Sequence, residues 1–325
     1  MDERLITAIV VLVGVPGVLL GYIYLTEILL RFAPERGRDG VRPWLWLLPA
    51  LLFLFLFLIW PTILTILRSL QGALAGTFVG LDNYVWFFTS SDALISLRNS
   101  ALWVVFLTLI AVGLGLLIAV LVDRVRYESF AKSVIFVPLA ISMTAAGVIW
   151  RFMFDYQSAG TTQTGTLNAI LGVFGVGPVS FLQVDTLALN TIFLIIVMAW
   201  MWTGFAMVIL SAALKGISTE LLEAGRVDGA TEWQVFRQIV FPLLLPTVAV
   251  VSTTIVITAL KAFDIVYVMT NGNFNTAVVA SQMIKESFIN GNFGHGSALA
   301  VILLLAIIPI MGLNISRFRA QEAIR

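Results

Sequence analysis

The 325-residue chain has no cysteine and a single histidine, His295. The first absence excludes a disulfide framework and any thiolate metal site, and the second removes most zinc chemistry. Charge is scarce as well. Only 11% of residues are Asp, Glu, Lys or Arg, and they sum to a net charge of +1. That balance gives no ground for a nucleic-acid partner, and none is expected. No G-x-x-x-x-G-K-[ST] loop occurs, so the chain lacks the familiar cradle for ATP phosphates. Neither a sequence repeat nor a low-complexity tract is present, and no polar segment is long enough to form a soluble catalytic domain.

What is abundant is apolar side chain. Hydrophobic residues make up 60% of the chain and mean hydropathy is +1.01, far from the balance of a water-soluble domain. The fold class this implies is an all-α polytopic membrane protein. A spanning helix needs roughly 20 apolar residues at about 1.5 Å each. Seven are predicted, at about 5–31, 44–67, 99–122, 133–154, 187–214, 246–269 and 297–316. The first opens with Asp2 and Glu3, runs past the length of a signal core and lacks a small-residue cleavage site. Segment 1–43 is therefore expected to be an extra anchor helix with a cytoplasmic linker, 44–316 a six-helix core, and 317–325 a tail.

Lys and Arg set the orientation. One set of connections holds Arg31, Arg36, Arg38 and Arg42, then Arg124, Arg126 and Lys132, then Lys215, Arg226 and Arg237, then Arg317, Arg319 and Arg325. That is thirteen of the 19 basic residues; the opposite set has Arg4, Arg68, Arg98, Arg151 and Lys285. The N-terminus is expected outside and the C-terminus in the cytoplasm, together with the segment 214–246. The loops at 68–98, 155–186 and 270–296 then face outward. Pro34, Gly37, Gly40 and Pro43 mark the first cytoplasmic connection, and Gly160, Gly165, Gly172, Gly175, Gly177 and Pro178 punctuate an outer one.

The segment 214–246 has the grammar of a helix-turn-helix. Ser218 is placed to cap a helix starting at Thr219, with Glu220 in its first turn, where the helix dipole favours an anion. Gly229 supplies a break, and Thr231 with Gln234 has capping-box spacing for a second helix. Pro242 and Pro246 are expected to end or kink that helix. Trp233, Phe236, Ile239 and Val240 recur at helical spacing. Periodicity alone leaves two uses open: an interfacial helix without a partner, or a small amphipathic helix suited to a groove on another protein.

The run Glu223-Ala224-Gly225, then Gly229, then Ile239 and Phe241-Pro242 resembles the signature loop of permease subunits in binding-protein-dependent ABC importers. In that family the loop carries a coupling helix that sits in a cleft of an ATPase subunit. The resemblance assigns ATPase coupling to Glu223, Ala224, Gly225, Asp228, Gly229, Ile239 and Pro242. Two positions depart from the pattern: Gly225 replaces a usual alanine, and Phe241 replaces the leucine before the proline. The stretch from Phe263 to Gly272, with Phe288, Gly294, Ser297 and Ala298 beyond, is similar to carbohydrate permeases of the maltose-transport type. Asn271-Gly272-Asn273-Phe274-Asn275-Thr276 looks more like α-glucoside and related disaccharide permeases. Over residues 44 to 316 the resemblance implies a type I importer core in a bacterial cytoplasmic membrane, among lipid. Its implied partners are a dimer of ATP-hydrolysing subunits, which hold the ATP and Mg, a second permease and an extracytoplasmic sugar-binding protein. This chain itself would be no enzyme and carry no cofactor.

A neutral sugar needs hydroxyl partners and aromatic faces, and polar groups inside a membrane are costly enough to be functional candidates. Thr258, Lys261 and Asp264 stand at i, i+3 and i+6 on the sixth span, and Asn190, Trp200 and Trp202 lie on the fifth. These six are the candidate substrate pathway. Other uses are open: a packing ion pair for Lys261 and Asp264, and lipid contact for the tryptophans. His295 has no second histidine or cysteine to share a metal. Asp155 and Asp185 flank an outer loop, either as solvated carboxylates or as contacts for a binding protein. Gly113 and Gly115, like Gly14, Gly17 and Gly21, permit close helix approach. A proton-coupled sugar carrier using Asp264 and Lys261 is the rival function, although it leaves the 214–246 loop unexplained and lacks two matching interrupted spans. A third reading is a membrane scaffold that recruits a partner without transport.

Overall fold

The computed structural model describes residues 7, 10–32, 35–74, 76–123 and 125–322. Asp2, Glu3, Arg4, Pro34, Arg124 and Arg325 lie outside them, as do the side chains of Arg36, Arg38, Arg317 and Arg319. Among the described residues the regular structure is helical, apart from one isolated bridge between Gln71 and Phe78. The chain divides into two compact units, Met1–Leu64 and Thr65–Arg325.

The first unit contains α1 (Val10–Arg31) and most of α2 (Gly40–Ser69). Their side chains are largely uncovered, Leu12 at 73% and Phe57 at 72%, which suits helices whose solvent is lipid. Within the unit, Tyr22 donates to the Leu45 carbonyl, its ring meets Trp46 edge-on at 6.4 Å, and Arg42 pairs with Glu27 at 2.9 Å. The connection expected around Gly37, Gly40 and Pro43 is helical from Glu35 onward, with Pro43 and Pro49 inside the helix. In a membrane the backbone has no water to turn to, so a helix tolerates these interruptions.

Three prolines share one local solution. The wide π turns Val10–Gly14, Phe55–Ile59 and Phe236–Val240 each end two residues before a proline, namely Pro16, Pro61 and Pro242. Proline has no N–H, and its ring clashes with the carbonyl four residues back. In a π turn each N–H reaches one residue further, as Trp60 does to Phe55 and Phe241 to Phe236, and the crowded carbonyl is moved aside. Pro242 and Pro246 therefore do not end the helix: Glu232–Leu260 runs through both.

The second unit holds α3 (Asp82–Thr89), α4 (Ser91–Val122), α5 (Glu128–Ala140), α6 (Met143–Met153), α7 (Thr166–Val173), α8 (Leu189–Lys215), α9 (Thr219–Val227), α10 (Glu232–Leu260), α11 (Asp264–Thr270), α12 (Val279–Ile284) and α13 (Phe293–Glu322). Its core is α8. Leu194, Ile195, Met198, Met201, Met207 and Leu210 are fully covered, against Trp103 and Leu107 of α4 and Val251 and Ile255 of α10. Two glycines fix the closest crossings. A β-carbon on Gly115 would stand 2.6 Å from that of Ala206, and one on Gly204 would stand 2.5 Å from the Ile135 carbonyl oxygen. Gly113, expected to act likewise, has nothing within 4 Å, as do Gly17 and Gly21.

Two spans expected to be continuous are broken. The one at 133–154 is α5 and α6, bent by 97°; a 3-10 turn at Val137–Ala140 leads to Ser142, which caps α6 by accepting from the Ala145 N–H at 3.2 Å. The one at 246–269 is α10 and α11, separated at Lys261–Phe263, where Phe263 has φ −139° and ψ −54°. The second segments of both broken spans pack together, with Gly147 of α6 against Val268 of α11. Among the described residues six helices are long and apolar enough to cross a membrane, or seven if the bent pair is one span.

Candidate functional site

The polar connection between α8 and α10 is built almost wholly from local rules. Ser218 is the N-cap residue of α9, although its side chain makes no capping bond, and Glu220 lies in the first turn. The helix closes on Gly229, whose φ of +84° only glycine adopts without strain. Ala230 N–H reaches the Gly225 carbonyl at 3.1 Å and Gly229 N–H that of Arg226 at 3.0 Å, the paired bonds of a Schellman ending. No atom would meet a β-carbon on Gly229, so conformation rather than space requires the glycine there. Thr231 and Gln234 form both halves of the capping box that starts α10.

One face of this helix pair is buried and the other is presented. Leu222, Ala230 and Ile239 pack around buried Val235, Val240 and Leu244, together with Leu116 of α4 and Leu214 of α8. Gly225 belongs to that inner face: a β-carbon there would come within 2.7 Å of Ile239 Cδ1. The glycine that departs from the family pattern thus lets α9 settle on α10. Glu223, Ala224, Asp228 and Pro242 are exposed, as are Val227 at 86% and Trp233 at 66%. Arg226 bridges the two helices to Glu232 at 2.7 Å, a bond that raises its already high pKa. Beside the loop a cavity of about 540 Å³ opens between α4 and the helix pair, walled by Leu117, Leu121, Leu222 and Phe236.

A second anchor was not found from the sequence. Glu128, which opens α5, receives both Lys132 and Lys215, the latter at 2.6 Å, and Lys132 also donates to Ser211. This ties the start of α5 to the end of α8, where the loop begins. The i, i+4 spacing of Glu128 and Lys132 was the available signal; the partner at 215 is distant in sequence.

The six pathway candidates are not one cluster. Asn190 is fully buried and both ends of its amide are engaged, Nδ2 with the Phe274 carbonyl at 2.6 Å and Oδ1 with the Thr191 N–H at 2.8 Å. Trp200 is 37% exposed and meets Trp150 edge-on at 5.6 Å. Trp202 packs against Phe205, and its buried indole N–H has no partner among the described residues. Thr258 donates back to the Thr254 carbonyl at 2.9 Å. Lys261 and Asp264 do not continue the helix of Thr258: Lys261 is exposed at the C-cap of α10, and Asp264 is the first residue of α11. No ion pair joins them among the described residues. They flank the break between α10 and α11.

Around Asn190 the backbone is unusual. The non-glycine residues with positive φ among those described are Leu187, Ala188, Asn271, Phe274 and Asn275, and they occupy two turns held against each other. Asn275 donates to Asp185 at 2.6 Å, while buried Asn99 of α4 donates to the carbonyls of Asn275 and Ala277 at 2.6 and 2.8 Å. These turns lie at the end of α8 away from the polar loop, about 40 Å along a 27-residue helix.

A set of helices long and apolar enough to cross a membrane, one pair of them sharply bent, is the architecture of a membrane transport subunit. The model of the family described as "Binding-protein-dependent transport system inner membrane component" matches residues 111–324, and the chain belongs to that family. It is 54% identical to the osmoprotective compounds uptake permease protein GgtC of Synechocystis sp., over 85% of this chain and 99% of that protein. It is 41% identical to the alpha-glucoside transport system permease protein AglF of Rhizobium meliloti, over 96% of this chain and 97% of that one. Among solved structures, a bacterial alginate ABC transporter chain shares the fold, with a TM-score of 0.74 at 22% identity, covering 86% and 96% of the two chains. The protein is thus an inner-membrane permease rather than a catalyst.

Proposed function

We propose that the chain is one of two permease subunits of an ATP-driven importer that carries an α-glucoside or another disaccharide across a bacterial cytoplasmic membrane. The observation that carries this reading is the loop pair α9 and α10: a helix closed at Gly229 that offers Glu223, Asp228 and Val227 to a partner while its other face is fixed to three helices of the bundle. A gradient-driven carrier has no use for such a projection. The sugar class is supported by the α-glucoside permease among the relatives and by the run from Phe263 to Thr276.

In this reading the loop and the basic connections face the cytoplasm, the N-terminus is outside, and the strained turns at Leu187 and Phe274 face the binding protein. Paired ATPase subunits bind ATP with Mg and close, moving α9. Because Gly225 seats α9 on Ile239, the displacement passes into α10, a 29-residue helix about 43 Å long. Its far end is the interruption at Lys261–Phe263, so a rigid-body shift of the loop alters the gap between α10 and α11. Thr258, Lys261 and Asp264 border that gap and are the pathway residues of this mechanism, with Trp200 and Trp202 as aromatic walls on α8. The coupling free energy between nucleotide and sugar sites then resides in the rigidity of α10.

Proteoliposomes holding the purified assembly test this directly. Sugar uptake that requires internal ATP and a liganded binding protein, and that persists with a proton uncoupler, is the expected result. Uptake that collapses with the uncoupler and proceeds without ATP would sink the proposal.

A further inference from the structure

At the end of the bundle that carries the strained turns, a cavity of about 190 Å³ lies beside Phe274. Its polar lining is unusually free. Tyr156, Ser180 and Gln183 have no side-chain hydrogen bond among the described residues, and Arg151 makes only one, to the Val268 carbonyl at 3.3 Å. Asp155 completes the wall. Its carboxylate accepts from Thr164 and from Gln157, which fixes its position, and the Thr164 hydroxyl holds it below the usual carboxylate range. Phe154, buried against Phe181 and Phe193, supplies an apolar wall.

This lining selects by charge. Arginine only donates and an ionised aspartate only accepts, and no ion pair joins the two here. A phosphate drawn to Arg151 is repelled by Asp155, and an ammonium drawn to Asp155 is repelled by Arg151. A neutral polyol, whose adjacent hydroxyls both donate and accept, can use both at once. Aromatic faces beside such groups match the C–H surface of a sugar ring. The volume is below the roughly 300–1,000 Å³ of sites that enclose drug-sized ligands, which suits one ring rather than a whole disaccharide. Phe274 is held in place by construction: its φ is 56°, and Asn190, buried in α8, grips its carbonyl. Strained non-glycine backbone persists only where the surroundings enforce it, and it concentrates at ligand clamps.

We propose that this cavity binds a single neutral hexopyranose ring, with Phe274 and Phe154 against its C–H face and Arg151, Asp155, Tyr156 and Gln183 sharing its hydroxyls. The proposal rests on the sugar-importer reading and adds a waypoint distinct from Thr258, Lys261 and Asp264. Its test uses the complete assembly in lipid nanodiscs without binding protein, probed by saturation-transfer NMR with trehalose and sucrose, and with glucose 1-phosphate and glucosamine as charged controls. Transfer to one ring of a neutral disaccharide is expected, with at least a fivefold loss in Gln183→Ala and in Phe274→Ala, both purified with their full complement of subunits. Equal transfer in wild type and both variants, no transfer at all, or stronger transfer to a charged control would overturn it. Parallel uptake by wild-type proteoliposomes separates the two readings. Uptake without transfer removes the cavity and keeps the importer, whereas transfer without uptake of any neutral sugar supports the cavity and removes the importer.

Discussion

The two ends of α8 are built by opposite means. At the loop end, α9 and the start of α10 are set by neighbours in sequence: a Schellman ending at Gly229, a capping box at Thr231 and Gln234, and an apolar face at helical spacing. At the other end, five non-glycine residues sit in left-handed backbone, and asparagines from elsewhere grip two of them, Asn190 the Phe274 carbonyl and Asn99 that of Asn275, 176 residues away. A locally determined element can move as a rigid body and keep its shape, which a docking helix requires. A turn held by distant contacts changes shape when those contacts shift, which suits the end proposed to bind sugar.

The sharpest way to break this comparison is Gly229→Pro. Proline fixes φ near −65°, incompatible with +84°, so uptake should fall more than a hundredfold and the ATPase subunits should no longer co-purify, with the spans still inserted. Glu223→Lys alters only the presented face of α9; uptake is expected to drop about tenfold at unchanged expression, measured in membrane vesicles. At the opposite end, Asn190→Ala removes the donor to the Phe274 carbonyl, a hydrogen bond worth about 0.5–1.5 kcal/mol. Hydrogen exchange over 271–277 should then accelerate, while exchange over 219–240 stays as in wild type.

A smaller effect comes from acid. Burial opposes charge on Glu286, but hydrogen bonds from His295, Asn290 and Gln282 outweigh it and lower its pKa beneath the usual 4.5. A carboxylate with a depressed folded pKa adds stability above its unfolded value and loses it as pH falls through the folded one. Exchange over 284–295, corrected for intrinsic rates, should therefore quicken below about pH 4.5 more than exchange over 219–240. The least effect is expected for Arg226→Ala, because solvent screens an exposed pair such as Arg226 with Glu232; uptake should remain within twofold.

How much of this was legible in the sequence follows from the same contrast. The loop could be read because its determinants lie within some twenty residues of each other, and the departures are of detail: Ser218 occupies the cap position without making the bond, and Pro242 and Pro246 are carried inside α10. The membrane class and the number of spans followed from apolar length. The breaks did not: 133–154 and 246–269 read as continuous apolar helices, and nothing local in Lys261-Ala262-Phe263 announces the interruption that packing of α11 on α6 permits. Asn190 looked like a pathway residue because an intramembrane amide is costly. Its partner, the carbonyl of Phe274, lies 84 residues away and is invisible to any local rule. The π turn ahead of Pro242 explains why a proline that reads as a helix end is carried inside a helix.

The claim that α9 docks an ATPase is tested most directly by a cross-link. The chain has no cysteine, so Val227→Cys places a single thiol on the presented face of α9, at a position 86% exposed. Treated with a short thiol-to-photoprobe reagent during sugar-stimulated turnover, it should join the chain to an ATP-hydrolysing subunit, identified by mass spectrometry. Cross-links to lipid alone, from an assembly that still imports sugar, would contradict the account.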